Sequence, residues 1–210
     1  YLTQHLLGAG EPRRAGRAAR DAAEAASAAL AFDRAVDLFD TALAHGVWAP
    51  DAEVALRVQR AEALVNGLRA AEGGEAFIQT ADRTEDASLR QQLLRRGGEQ
   101  LLLSGHIQAG FEVLRRVFAA QGLDFDELHS ADFNLLLMEL FSRGLDFEAS
   151  PAAALRPQDR ERLEAIWSAA LGLVNLRSAE SFALSLRCTL DALELGAVSY
   201  IARGLMGAAI

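Results

Sequence analysis

The stretch Phe32-Asp33-Arg34-Ala35-Val36-Asp37-Leu38-Phe39-Asp40-Thr41-Ala42-Leu43-Ala44 sets the fold class. Ala35, Leu38, Phe39, Ala42 and Leu43 recur at helical spacing on one face, and Gly46 ends the run. Upstream, Pro12 stands where a first helical turn tolerates proline, and the run Ala15 to Ala29 is rich enough in alanine for a neighbouring helix to approach closely. The two segments are expected to form an antiparallel hairpin.

The pattern recurs along the chain. Pro50 and Asp51 open a helix through Val54, Val58, Ala61 and Val65, and Gly73-Gly74 precede a shorter one with Phe77, Ile78 and Ala81. Leu89 to Leu103 is followed, after Ser104-Gly105, by Ile107, Phe111, Leu114 and Phe118, ending at Gly122. A connector with Asp124, Asp126 and Glu127 leads to a Leu-rich helix from about Asp132 to Arg143. The loop from Pro151 to Pro157 then separates a last hairpin, which pairs Leu163, Ile166, Trp167 and Val174 with Phe182, Leu186, Leu190 and Leu193 and closes at Gly196.

About ten or eleven helices result, with no alternating apolar run that would make a strand. The fold expected is all-α: an α-solenoid of antiparallel helix hairpins, tetratricopeptide-like, with residues 1–150 as degenerate hairpins and 151–210 continuing them. Ala23 followed by Ala35, Phe39 and Ala42 has the same spacing as Gly98 followed by Gly110, Leu114 and Val117. The 75 residues between the two sets leave room for a third hairpin, placed at Gly74, Ile78 and Ala81. In this register Phe39 and Leu114 are core residues, each worth about 2–5 kcal/mol against alanine.

Composition narrows the function. Hydrophobic residues make up 51% of 210, enough for a folded core without metal or disulfide, and the single Cys188 lies among Leu186, Leu190 and Leu193 as a small apolar filler. The formal charge of -8 disfavours nucleic acid and anionic lipid, and no apolar run reaches the roughly 18 residues of a membrane span. A cytoplasmic location is expected. All 21 basic residues are arginine, which excludes any lysine-dependent chemistry within these residues, including P-loop, kinase and Schiff-base lysines.

Three stretches resemble the helical region of large bacterial Ser/Thr protein kinase–ATPase proteins, a group with a kinase, a signal-transduction ATPase and tetratricopeptide-like repeats. They are His5-Leu6-Leu7-Gly8-Ala9-Gly10-Glu11-Pro12 with Ala29 to Ala35; Leu102-Leu103-Ser104-Gly105-His106-Ile107 with Gly110; and Ser181-Phe182 with Leu190 to Gly196. The resemblance implies a sensor or docking arm of such a signalling protein. It carries no catalytic residue onto this chain, which has no Gly-rich phosphate loop and neither kinase metal nor catalytic triplet.

No catalytic, cofactor or metal site is expected. His5, His45, His106 and His129 lack ligand spacing, the acidic cluster Asp124, Asp126, Glu127 and Asp132 lacks the pattern of a calcium loop, and Glu161, Glu164 and Glu180 read as surface carboxylates. The candidate contacts are Arg20, Glu24, Arg95 and Glu99. Arg20 and Arg95 share a repeat position, as do Glu24 and Glu99, on the helices that would line a concave face. They read either as groove contacts for a protein or peptide or as a solvated stripe of spacing-four ion pairs. A pocket for a small-molecule inducer is the competing functional class. The chain begins at Tyr1 and ends in an apolar tail, Leu205, Met206, Ala208, Ala209 and Ile210, so a continuing chain is expected. An isolated segment would hide that tail against the last hairpin or in a homodimer.

Overall fold

The computed structural model describes residues 2–151 and 155–208, and among these every regular element is a helix. Two compact units result, Tyr1–Gln100 and Leu101–Ile210. The boundary expected at residue 150 adjoins residues 152–154, which lie outside the described ones, as do the tail residues Ala209 and Ile210.

The first unit contains α1 (Leu2–Gly8), α2 (Pro12–Ala28), α3 (Phe32–His45), α4 (Pro50–Asn66), α5 (Ala70–Ala81) and most of α6 (Ala87–Leu103). Proline opens α2 and α4 at the position where the missing N–H costs nothing. Helix α2 packs on α3, α3 on α4 and α4 on α5. The pairs are antiparallel. Gly16, early in α2, lies against Gly46 at the end of α3, and a Cβ on Gly16 would stand 2.5 Å from the Gly46 Cα.

One turn geometry recurs at the ends of α2, α4 and α6. Ala31 N–H donates to the Ala26 carbonyl, Arg69 N–H to Leu64, and His106 N–H to Leu101, each spanning five residues across a residue of positive φ: Leu30, Leu68 and Gly105. This is the Schellman closure, which satisfies helix-end carbonyls and reverses the chain. Leucine in place of glycine at the first two turns hid their equivalence from the sequence reading.

The turns set a register of 38 and then 37 residues. On this register Ala23, Ala61 and Gly98 coincide, as do Ala35, Gly73 and Gly110, then Phe39, Phe77 and Leu114, then Ala42, Thr80 and Val117, and all twelve are buried. The sequence reading of the middle hairpin, at Gly74, Ile78 and Ala81, is therefore one residue out. Gly73 and Gly74 also lie inside α5 rather than before it. A Cβ on Gly73 would meet Val65 Cγ2 at 2.5 Å and the Ala61 carbonyl at 3.1 Å, so close helix approach holds glycine there despite its poor helix propensity.

The second unit comprises α7 (Ile107–Ala119), α8 (Phe125–His129), α9 (Phe133–Arg143), α10 (Pro157–Leu173), α11 (Ser178–Leu195) and α12 (Val198–Ala208). The acidic connector of the sequence reading is in fact α8, capped by Asp124, whose carboxylate accepts from the N–H groups of Asp126 and Glu127. Asp132 caps α9 in the same way through Asn134 N–H. Helix α11 is central, with α8, α9, α10 and α12 all packed against it.

Helix α12 shows one of the two outcomes expected for the apolar tail. The apolar residues after Gly196 form a helix antiparallel to α11, and Gly204 and Gly207 meet Thr189 and Ser185 so closely that a Cβ on Gly207 would stand 2.7 Å from the Ser185 Oγ. The described part of the tail thus packs back on the last hairpin. Glu164, expected on the surface, is half-buried and accepts hydrogen bonds from the Tyr200 hydroxyl at 2.6 Å and from Arg203 at 3.3 Å. Asp191, buried on α11, is held by Arg162 at 2.8 Å and Arg187 at 2.9 Å, while burial pushes its carboxyl above the ordinary range.

Cys188 is buried in α11, and desolvation pushes its thiol up to about 12. Because the thiolate is the reactive form, Ellman's reagent is expected to leave the folded chain unmodified at neutral pH and to react fully in denaturant. Rapid labelling of the native chain would contradict this placement.

Candidate functional site

The repeat register brings the candidate residues onto the first helix of each hairpin, and it adds a third acidic position. Glu24 on α2 and Glu99 on α6 have Glu62 on α4 as their equivalent, so the same carboxylate recurs on three successive first helices. The basic position does not recur in this way: Arg20 and Arg95 flank Val58. Sequence reasoning missed Glu62 because its register for the middle hairpin was one residue out and set Ala63 at this position. Aligning Gly67-Leu68-Arg69 with Ala29-Leu30-Ala31 would have found it.

Glu24 and Glu62 stand on the rim of one cavity of about 330 Å3 in the first unit. Gln59 and Asn66 on α4 complete its polar edge, and Leu30, Phe32 and Phe39 give it apolar surface. Of the four candidate contacts, Glu24 alone lines this cavity, so the structure does not gather all four at one place.

The ion pairs differ from simple helical spacing. Arg20 bonds Asp21, at 2.7 and 3.0 Å, rather than Glu24, and its guanidinium lies 5.5 Å from the Trp48 ring. The adjacent carboxylate captures the fork that i,i+4 geometry had assigned to Glu24, and it holds the Arg20 pKa above its ordinary value. Arg95 and Glu99 do pair, at 3.8 Å, and both side chains are about four-fifths covered. Arg96 extends the pattern between helices. It donates to Glu62 at 2.9 Å and its guanidinium lies 4.1 Å from the Phe77 ring centre.

A second cavity of the first unit, about 410 Å3, is lined by Asp40, Arg57, Arg60 and Gln79. Its cations are engaged: Arg60 forks onto Asp40 and Arg57 onto Glu53. In the second unit, Arg115 bonds Asp126 through both Nε and Nη2, and this holds the Asp126 carboxyl below its usual range. His129 stacks on Phe125 at 4.8 Å, with its Nδ1 3.0 Å from the Phe125 carbonyl oxygen.

Chemically, the rim of the α2–α4 cavity offers the Glu24 carboxylate and amide acceptors beside apolar walls, with Glu62 next to them already bonded to Arg96, which suits an extended segment bearing one cation and one large apolar side chain. Among the described residues no group of three or more His, Cys, Asp or Glu side chains could hold a metal ion, and no helix is long and apolar enough to cross a membrane. No protein-family model, curated protein or solved structure matches this chain.

Proposed function

We propose that this chain is a non-catalytic protein-interaction segment whose first unit binds a short basic and apolar peptide in the cavity between α2 and α4. The observation that carries this reading is the recurrence of Glu24 and Glu62 at one repeat position on the rim of a cavity with phenylalanine in its wall. Carboxylates spaced by the helix repeat steer and register a cationic segment, while Phe32, Phe39 and Leu30 supply apolar contact. The recurring Schellman turns and small-against-small positions support a tetratricopeptide-like solenoid as the scaffold. The motif resemblance supports reading the segment as the sensor or docking arm of a cytoplasmic bacterial signalling protein of the Ser/Thr kinase–ATPase kind.

Selection from a displayed library of random peptides tests the reading directly. Enriched peptides are expected to carry arginine or lysine close to a large apolar residue. Glu24→Lys combined with Glu62→Lys is expected to weaken their binding about tenfold or more. Enrichment without basic residues, or undiminished binding to the charge-reversed variant, would rule out this cavity as the docking site.

A further inference from the structure

The first unit holds two grooves between successive hairpins, and the chain itself fills one of them. Between α4 and α6, Arg96 reaches across to donate to Glu62 at 2.9 Å, while its guanidinium lies 4.1 Å from the Phe77 ring centre. On the repeat register Glu62 is equivalent to Glu24 and Phe77 to Phe39, and a step of 37 residues back from Arg96 reaches Gln59. Those equivalents, Glu24, Phe39 and Gln59, all line the cavity between α2 and α4. In both grooves a carboxylate on a first helix, a phenylalanine on the second helix of that hairpin and a residue from the next first helix converge. Only the last of them differs.

We infer that the α2–α4 cavity is a guanidinium site, taking an arginine side chain of the docked segment where the next groove holds Arg96. This rests on the peptide-docking reading above and names the cation. Gln59 brings an amide where Arg96 brings a guanidinium, so the first groove has the carboxylate without its cation. Glu24 is exposed and, among the described residues, makes no hydrogen bond or ion pair. Arg20, one turn back, attracts it only at longer range, because its fork is engaged by Asp21. Phe39 is buried as Phe77 is, so the incoming group must displace the half-buried Gln59 side chain to reach the ring.

The geometry at Arg96 selects arginine over lysine. A guanidinium is planar and weakly hydrated, so one group lies against a ring while its N–H groups point at a carboxylate. An ammonium is a compact, strongly hydrated point charge with no flat face to set on a ring. One exposed carboxylate and one ring contact give a single arginine an affinity of only about the millimolar range, and the remainder of the segment supplies the rest.

Titration of the 15N-labelled 210-residue chain with N-acetylarginine methylamide and with its lysine counterpart, followed by NMR, tests this. The arginine probe is expected to shift the signals of Glu24 and Gln59, and the lysine probe to bind at least about fivefold more weakly. Glu24→Gln should weaken the arginine probe about fivefold or more. Gln59→Arg should abolish its binding with helical content unchanged, since the chain then fills this groove as it fills the next. Arg96→Gln should open a second site at Glu62 and Phe77. Equal response to the two probes, indifference to Glu24→Gln, or a folded Gln59→Arg chain that binds as before would overturn the inference. Displayed peptides that use lysine as readily as arginine, yet lose affinity when Glu24 and Glu62 are reversed to lysine, would sink this inference alone and leave the docking reading standing. Free arginine binding as tightly as the enriched peptides would overturn the assignment to a docked segment.

Discussion

Phe39→Ala is expected to destabilise the first unit by about 3–5 kcal/mol, and Leu114→Ala the second by about 2–5 kcal/mol. Both positions are fully buried and occupy the large-residue site of the repeat register. Phe39 fills space between a small residue one turn before it, Ala35, and another one turn after, Ala42, neither of which can expand into the void. Removal leaves a cavity that rigid helices cannot close, so the lost transfer energy and the cavity term add. Urea unfolding followed by circular dichroism reads the effect as a lower midpoint. Small losses at both positions would break the register on which the candidate site is built.

Gly16→Ala tests packing against propensity by its sign. In an exposed helix interior, glycine to alanine stabilises by roughly 1 kcal/mol because the unfolded chain loses freedom. Here the new Cβ would stand 2.5 Å from the Gly46 Cα and 2.9 Å from the His45 carbonyl carbon, both backbone atoms that no rotamer change can move. Helices α2 and α3 must separate, so the substitution is expected to cost about 1–3 kcal/mol and Gly16→Val about 3 kcal/mol or more. Gly8→Ala, at the end of α1 where nothing lies within 4 Å, is the control and should be neutral or stabilising by up to about 1 kcal/mol. Thermal melts of the three variants suffice, and a stabilising Gly16→Ala would show that α2 and α3 are not in backbone contact.

Helix starts were legible where proline and the apolar period agreed: Pro12, Pro50 and Phe32 begin helices in the structure as the sequence implies, and Gly196 ends one in a left-handed cap. Illegible were the features decided by neighbours distant in sequence. Gly73-Gly74 reads as a break by local propensity, yet the approach of α4 demands it within a helix. Leu30 and Leu68 carry no turn signal although each adopts positive φ. The tail after Gly204 looked like unfinished surface because the partners of its helix, Ser185 and Thr189, are polar residues of α11 that favour no particular neighbour. For the candidate site, Glu24 was placed correctly on a first helix, but its cation was not. Helical spacing allows Arg20 to reach Glu24 or turn to Asp21, and only the surroundings of the guanidinium, Trp48 among them, distinguish the two.

The recurring turns also limit how this chain can change in length. Because Leu30, Leu68 and Gly105 fix one phase for the small and large positions of each hairpin, removing three or four residues from a helix would rotate or shift an entire face out of phase. Every downstream alanine, glycine and phenylalanine of that helix would then meet the wrong neighbour. Excision or duplication of 37 or 38 residues leaves the phase intact and alters only the number of carboxylates along the first helices. In the solenoid proposed above, insertions and deletions compatible with folding are therefore quantised in whole hairpins, and homologous chains should differ by such steps or by changes confined to the turns.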